Sequence, residues 1–382
     1  MRNSKQFILS EFKGKSNSVN IDKMGIWSEI NAFRRIFMRN LTRNVGKSKF
    51  KDGFFLVDKN EIKRVLICRP NARLGNLLLI SPLVQEVAET FPNCKIDLFV
   101  KGTLAPVIFK NYVNFHKAIE LPKKPFNNLI VYLKVWISIK KQKYDLVINV
   151  DQGSSSGRLA VQFSDAKYKC FGDLNEQNQE IKSDYNHIAK YPVYNFRNYL
   201  TKFGLRKSNK IIAPLDLKLD SSELLGGKNI LNNIVGNSKR TICIFTYGTG
   251  NKCLSKNWWE DFYAKLKAEY KDFNIIEILP VENVSQIAFQ APTFYSKNIR
   301  EIGAVIANAD LFIGADSGIM HLASSVQTPT IGLFSVSNLK KYMPYDNCSI
   351  GIDTNTFPSG GYFKTINSIL DNGRLKLYSK AV

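Results

Sequence analysis

The sequence ADLFIGADSGIMHLASSVQTPTIGLF, residues 309–334, decides the fold of this 382-residue chain. Apolar residues from Leu311 to Gly314 predict a short buried strand, and a second apolar run from Thr330 to Phe334 predicts another. The residues between them, from Ser317 onward, have the length and composition of a helix. A strand, a helix and a strand in this order form one βαβ unit, which sets two parallel strands in one sheet.

The same alternation extends from this unit along most of the chain. Apolar runs predict strands near residues 65–68, 95–100, 118–121, 146–150, 241–246 and 274–279. Helical segments lie between them, one of them at 76–90. We therefore expect an α/β protein built from two Rossmann-like halves, each with a parallel sheet. No GxGxxG sequence opens a helix after either first strand, which argues against a dinucleotide-dependent dehydrogenase.

Weak periodicity between residues 204 and 240 marks the change of domain. We predict a basic N-terminal extension with an amphipathic helix at 1–60, a first domain at 61–205, a linker region at 206–240 and a second domain at 241–382. The helix of the extension is predicted by helical spacing of Ile26, Ile30, Phe33, Phe37 and Leu41 beside four arginines. Either the body of the protein or a lipid headgroup layer would cover its apolar side.

The charge of the chain points to an anionic partner. Lys and Arg number 54 against 32 Asp and Glu, a formal net charge of +22, of which residues 1–145 carry +16. Nucleic acid, anionic lipid and a phosphorylated acceptor all fit this asymmetry, as does a basic protein with a solvated surface. The six cysteines form no CxxC pair, and no stretch reads as a signal peptide or a membrane span. We expect reduced thiols, a cytoplasmic location and at most peripheral contact with a membrane.

Ligands of open parallel sheets bind beyond the carboxyl ends of the strands, so the loops there hold the candidate site. After the strand at 311–314, Asp316, Ser317 and Gly318 begin a helix whose free amides and dipole favour a phosphate. His321 projects from the first turn of the same helix. We favour an anion site here over the simpler alternative, a capped helix with a hydrogen-bonded core histidine.

Three further loops follow predicted strands. Gly248, Thr249 and Gly250 precede Lys256, which would add a positive charge for a diphosphate, although an ordinary flexible turn fits as well. Arg69 and Arg73 follow the first strand and could grip phosphates in a bidentate manner, or simply face solvent. Asp151 directly follows the strand at 146–150, where its carboxylate would lie at the edge of the sheet or cap the next turn.

With these segments in place, the chain resembles glycosyltransferase family 9, the lipopolysaccharide heptosyltransferases. The likeness rests on VLICRPNARLGNLLLISPLVQEVAETFP, on YDLVINVDQGSSSGRLA, on the element from Lys256 to Trp258, and above all on residues 309–334. It covers residues 63 to about 345 and leaves out the N-terminal extension. The resemblance implies a GT-B fold, in which two Rossmann-like domains face each other across a cleft, the first for the acceptor and the second for a nucleotide sugar.

The resemblance also implies the reaction and the donor site. The family transfers heptose from ADP-heptose to the inner core of lipopolysaccharide, with inversion, without a metal and without a cofactor. Carried over by motif, Lys256 would contact the diphosphate, and Asp316, Ser317, Gly318 and His321 would hold the donor. Glu282, after the strand at 274–279, would also bind the donor. An anionic glycolipid acceptor then accounts for the basic first half, and no RNP motif or zinc finger supports a nucleic-acid partner.

Two residues depart from the family pattern: Asn149 stands in the middle motif where an Asp is common, and the other departure affects the catalytic base. Where many members have Gly-Asp at the start of the first helix, with the Asp regarded as the base, this chain has Gly75-Asn76. An amide cannot accept a proton at neutral pH. Either another carboxylate serves, with Asp151 as the nearest candidate, or the acceptor is activated otherwise, or the protein is a catalytically silent binder of sugar nucleotides or glycans.

Overall fold

A computed structural model gives the fold of residues 46, 58–123, 128–173, 182–206, 208–358 and 360–380, with side chains described up to residue 371. The amphipathic helix predicted near residues 26–41 lies outside these described residues. The described chain forms two α/β lobes, each built around one parallel sheet. None of the helices in these ranges is long and apolar enough to cross a membrane.

The first lobe contains a five-stranded sheet in the order β3-β2-β1-β4-β5, with every neighbouring pair parallel. Strand β1, RVLICR, is buried over nearly its whole length, as expected for a central parallel strand covered by helices on both faces. The strands are β1 Arg64–Arg69, β2 Lys95–Lys101, β3 Phe115–Leu121, β4 Lys143–Asn149 and β5 Asp165–Cys170.

The second lobe contains a six-stranded parallel sheet in the order β11-β10-β9-β6-β7-β8. Its central strand β9 is buried at all five positions, because it lies between β6 and β10 under helices. The strands are β6 Arg240–Phe245, β7 Phe273–Ile278, β8 Thr293–Phe294, β9 Leu311–Ala315, β10 Thr330–Phe334 and β11 Ile350–Asp353. Both sheets confirm the predicted α/β class with two Rossmann-like halves.

Helices connect successive strands and cover the sheets. They are α1 Leu74–Leu78, α2 Ser81–Thr90, α3 Ala105–Ile108, α4 Leu129–Lys141, α5 Ser155–Phe163, α6 Tyr191–Thr201, α7 Ser221–Val235, α8 Lys256–Glu269, α9 Ile299–Ala307, α10 Gly318–Ser325, α11 Leu339–Tyr342 and α12 Gly361–Lys380.

The single helix predicted at 76–90 is two helices, α1 and α2. Pro82 lies in the first turn of α2, and its missing N–H and its ring prevent an unbroken helix through this point. The Ser81 hydroxyl donates to the Leu78 carbonyl at 2.7 Å and so satisfies one carbonyl at the break. The break leaves α1 as a separate short helix next to the end of β1.

The segment with weak periodicity holds helix α7. Asp220 and Glu223 form a capping box at its start, and Gly236 ends it in the left-handed conformation with φ +65°. A Cβ on Gly227 would lie 2.3 Å from the Ala304 backbone, so this glycine permits close contact between α7 and α9. The helix therefore packs on the second lobe. The residues that cap it are of the types that mark helix ends in a sequence.

Candidate active site

The candidate residues lie where strand order reverses in the two sheets. In each sheet the first strand, β1 or β6, separates strands added on one side from strands added on the other, and ligands bind at such points. The loop after β1 carries Arg69 and Arg73, and the loop after β4 carries Asp151. In the second lobe, the loops after β6 and β9 carry the glycine-rich segment and residues 316–321.

Helix α10 begins as the sequence predicts. Ser317 is the N-cap with extended backbone, and its hydroxyl oxygen accepts the N–H of Met320 at 3.2 Å. One of the amides that a helix start leaves without an intrahelical partner is thereby satisfied. Ser317, Gly318 and Ile319 remain half-buried rather than enclosed, so the positive end of the helix dipole still reaches the cleft.

Lys252 is a component of the site that the sequence reasoning missed. Its ammonium group donates to Oδ2 of Asp316 at 2.5 Å, and the Asp316 side chain is only 4% exposed. Lys256, the predicted diphosphate ligand, is the first residue of α8, as the sequence predicts, and its ammonium group lies 3.6 Å from the Glu260 carboxylate. The K-x-W spacing drew attention to Lys256, and nothing in the sequence distinguished Lys252 from an ordinary loop lysine.

Two of the predicted donor-binding glycines shape the loop that presents Lys252. A Cβ on Gly248 would lie 2.7 Å from the Lys252 carbonyl oxygen, and Gly250 has φ +62°, where a side chain is unfavourable. Thr249 is exposed between them. The backbone conformation of the loop after β6 therefore accounts for both glycines, whether or not they contact a ligand.

A buried carboxyl group also stabilises the start of the loop after β6. Glu277 of β7 accepts hydrogen bonds from the hydroxyls of Thr246 and Ser285, both at 2.6 Å. Burial raises the pKa of Glu277 above its usual range. Glu282, the predicted donor ligand, lies exposed in the turn that follows the same strand. The sequence reasoning missed Glu277, although a glutamate within an apolar strand indicates a buried carboxyl group.

His321 is buried where the two lobes meet. A Cβ on Gly75 of α1 would lie 2.7 Å from the imidazole, and a Cβ on Gly318 would lie 3.2 Å from the Leu74 side chain. Burial lowers the pKa of His321 to about 4, so the imidazole is neutral at physiological pH. Its Nδ1 has no hydrogen-bond partner within the described part of the chain. His321 is therefore a neutral, buried group beside the cleft.

The first-lobe candidates come together around one buried arginine. Arg69 donates from Nη1 to Oδ2 of Asp151 at 2.6 Å and from Nη2 to Oδ1 of Asn76 at 3.1 Å. Arg69, a predicted acceptor ligand, is 5% exposed, and these two hydrogen bonds engage its guanidinium within the protein. Arg73, at the N-cap of α1, is exposed and remains a predicted acceptor ligand.

Asp151 lies on an open cavity between the lobes. Its second carboxylate oxygen accepts the Gly153 N–H at 3.0 Å, while about a third of the side chain stays accessible. The cavity has a volume of about 490 Å³ and is lined by residues 151–153 and six residues between 183 and 191 of the first lobe, and by Asn338, Lys340 and Lys341 of the second. The carboxylate and the two lysines therefore share one space large enough for a sugar-sized ligand.

A second buried histidine joins the lobes at this cavity. His187 Nδ1 accepts the Ala189 N–H at 3.2 Å, which assigns the proton to Nε2, and Nε2 donates to the Met343 carbonyl at 2.9 Å. The neighbouring Ile188 N–H donates to the Lys341 carbonyl at 3.0 Å. The neutral ring is thus part of a hydrogen-bonded connection between the segment at 183–191 and the second lobe.

This connection predicts a loss of stability in acid. Burial lowers the pKa of His187 from 6.5 to about 4, so the unfolded chain takes up the proton first as the pH falls through 6.5 toward 4. We expect protonation of this group to lower the free energy of unfolding by about 2 kcal/mol when the pH falls from 7 to 5. Thermal melts at the two pH values check this, and His187→Gln, which keeps an N–H at the same place, should show a smaller shift. Equal shifts in both proteins would contradict it.

One protein-family model matches more than half of this chain. The model of "Glycosyltransferase family 9 (heptosyltransferase)" matches residues 132–359. Lipopolysaccharide heptosyltransferase 3 of Escherichia coli is 23% identical over 299 residues, which cover 72% of this chain and 84% of that protein.

Solved structures show the same fold. The glycosyl transferase family 9 protein of Veillonella parvula is similar with a TM-score of 0.62 at 17% identity, covering 81% of this chain and 97% of that one. The E. coli ADP-heptose lps heptosyltransferase II has a TM-score of 0.55 at 13% identity, covering 82% of this chain and 99% of that one. The predicted GT-B fold, with two Rossmann-like lobes, is confirmed.

Proposed function

The chain belongs to glycosyltransferase family 9, and on that premise we propose that it transfers heptose from ADP-heptose to a lipopolysaccharide core acceptor. The protein is a glycosyltransferase by family, and the named relatives support the donor and the acceptor. We further propose the domain division at 61–205, 206–240 and 241–382, with the acceptor on the first lobe and the donor on the second. The observation that carries the proposal is the Asp316–Lys252 pair at the start of α10.

The donor side supplies anion recognition without a bound cation. The diphosphate would lie at the start of α10, against the amides of Gly318 and Ile319, with Lys252 and Lys256 contributing positive charge. Asp316 would release Lys252 toward the phosphates and accept hydrogen bonds from sugar hydroxyls. Because the loops after β6 and β9 end at the same edge of neighbouring strands, these groups can converge on one ligand. Glu282 and Thr249, exposed at that edge, complete the proposed donor site.

The acceptor side supplies a carboxylate held by arginine. In the proposed step, an acceptor hydroxyl oxygen attacks the anomeric carbon, and the bond from that carbon to the ADP oxygen breaks on the opposite face. The configuration is therefore inverted. The hydroxyl proton passes to Asp151, and ADP leaves with the bonding electron pair. Arg69 orients Asp151 from the buried side, while Arg73 and the lysines of the cavity would bind the anionic acceptor.

The second candidate is a catalytically silent binding protein. Asn76 occupies the position at which many members have the base, and both oxygens of Asp151 already accept hydrogen bonds. Such a protein would bind ADP-heptose without consuming it. Both candidate functions predict binding of the donor, but only the transferase predicts turnover. Measuring donor binding and turnover on the same protein therefore separates them.

The test is turnover with ADP-heptose and lipopolysaccharide that lacks the corresponding core heptose. We expect release of ADP together with a heptose mass added to the acceptor, at a rate unchanged by EDTA, because lysines and helix amides neutralise the leaving group. Restoration by Mg²⁺ of an activity abolished by EDTA would contradict the metal-independent step. Donor binding without turnover on any acceptor would favour the silent binder.

We also propose a place of action for this enzyme. A lipid-linked, phosphorylated acceptor would bring it to the cytoplasmic face of the inner membrane as a peripheral protein. The basic first half of the sequence supports an anionic partner of this kind and gives no motif for nucleic acid.

A further inference from the structure

Helix α4 leaves an unusual amount of apolar surface uncovered. Leu129, Ile130, Leu133 and Ile137 are 51–72% exposed, and only Ile139 of its thirteen residues is buried. At 100° per residue these four exposed side chains fall within an arc of about 100°, so they form one continuous stripe. We call these four residues the α4 stripe.

The stripe is additional to the face that packs on the protein. Tyr132, Val135 and Trp136, together with Ile139, lie against the first-lobe core on the other side of the helix. Trp136 also contacts the half-exposed Phe163 ring of α5 at 6.3 Å between centroids, which extends the apolar surface beyond the helix. The fold therefore does not require the stripe, and an exposed apolar surface of this kind indicates a binding function.

Positive charge surrounds the stripe. Helix α4 carries Lys134, Lys140 and Lys141, all exposed, and no acidic residue. Burial lowers the pKa of Lys169 in β5, and repulsion from the nearby Lys140 lowers it further. An apolar stripe flanked by lysines is the pattern of a helix that lies in a lipid headgroup layer.

The position of α4 brings this surface to the candidate active site. Strand β3 ends at Leu121, at the same edge of the sheet as the ends of β1 and β4, and the chain then leads to Leu129 at the start of α4. The exposed Arg73 follows β1 at that edge, as Lys123 follows β3. A surface touching the stripe would therefore extend toward the loops that carry Arg73 and Asp151.

We propose that the α4 stripe docks on an anionic phospholipid bilayer, with its apolar side chains at the headgroup boundary and Lys134, Lys140 and Lys141 on lipid phosphates. This inference rests on the proposed function in one respect: a membrane-bound acceptor is the reason for the protein to bind a bilayer. A second copy is a poorer occupant, because a two-fold contact would set the lysines against themselves. The N-terminal segment is basic too, with Arg34, Arg35 and Arg39, so charge complementarity favours an anionic lipid surface over this segment.

The test is binding of the full chain to vesicles. Parent protein should sediment with vesicles of phosphatidylethanolamine and phosphatidylglycerol and bind pure phosphatidylcholine at least tenfold less. Leu133→Ser/Ile137→Ser should lower the partition coefficient at least tenfold, and Lys140→Gln/Lys141→Gln should lower it on anionic vesicles. Leu225→Ser on α7 of the second lobe, an equally exposed leucine, is the matched control and should bind like the parent.

Other occupants predict different results. Unchanged vesicle binding by Leu133→Ser/Ile137→Ser overturns the proposal, as does a parent dimer that becomes a monomer in this variant by light scattering. The variant should also keep its turnover on a water-soluble acceptor fragment, since the stripe lies outside the donor and acceptor sites. Vesicle binding needs no turnover, so failure of the proposed function and failure of this surface are separate outcomes.

Discussion

Replacing Asp151 by Asn lowers kcat by about 10²–10⁴-fold while ADP-heptose still binds. The amide keeps the shape of the side chain and a hydrogen-bond acceptor for Arg69, but it cannot take up the acceptor proton. Single-turnover assays measure the loss, and thermal shift with ADP-heptose measures donor binding. A variant that turns over at the parental rate would remove Asp151 from the mechanism.

A matched rescue tests the same idea. Arg69 donates to position 76 as well as to position 151, so a carboxylate at either place would be held by the same guanidinium. In the Asp151→Asn background, Asn76→Asp should restore at least tenfold of the lost kcat. Asn76→Asp would also return an ion pair to the buried Arg69, so the melting temperatures of the single and double variants are needed to separate recovery of kcat from recovery of stability. Absence of rescue in a stable double variant would mean that position 76 cannot reach the acceptor.

Asp316→Asn is expected to lower kcat/KM for ADP-heptose about 100-fold, with donor affinity falling in parallel. The buried carboxylate both positions Lys252 and faces the proposed sugar, and loss of one preorganised charge at a reacting group commonly costs 10²–10³ in rate. Steady-state kinetics with the donor varied, together with thermal shift, measure the change.

Asp310→Asn is the control for that variant. Asp310 precedes β9 at the opposite edge of the same sheet and pairs with Arg240 at 2.9 Å, so it offers a second, more exposed ion pair far along the strand from the site. We expect near-parental kinetics and at most a modest fall in melting temperature. Equal kinetic losses in the two variants would show that the effect of Asp316 is structural.

The strands and the site loops were predictable because they depend on local signals. A buried parallel strand is a short apolar run, and the carboxyl ends of such strands lie at one edge of the sheet, so the positions of Asp316, Ser317 and Asp151 at that edge were predictable from the pattern alone. Helix α10 begins at the predicted residue because a serine and a glycine suit a helix start. Boundaries moved where one residue intervened, as at Pro82.

The pairings within the site were not predictable. Arg69, Asn76 and Asp151 are up to 82 residues apart, and their hydrogen bonds depend on the register between β1 and β4. The choice of Lys252 rather than Lys256 as the partner of Asp316 depends on the path of a loop shaped by Gly248 and Gly250. Several lysines and arginines follow predicted strands in the same way, so the sequence does not indicate which of them lies next to which carboxylate.

The direct contact of the lobes at Gly75 and Gly318 has a consequence for substitutions at this interface. Because neither residue projects a side chain, the main chains of α1 and α10 approach each other closely there. The spacing of the two helices is therefore set by main-chain atoms, which cannot yield as the end of a flexible side chain can. A methyl group added to Gly75 would meet the His321 ring at 2.7 Å and force the helices apart, whereas one added to Gly318 would meet Leu74 at 3.2 Å and need a shift of only a few tenths of an ångström.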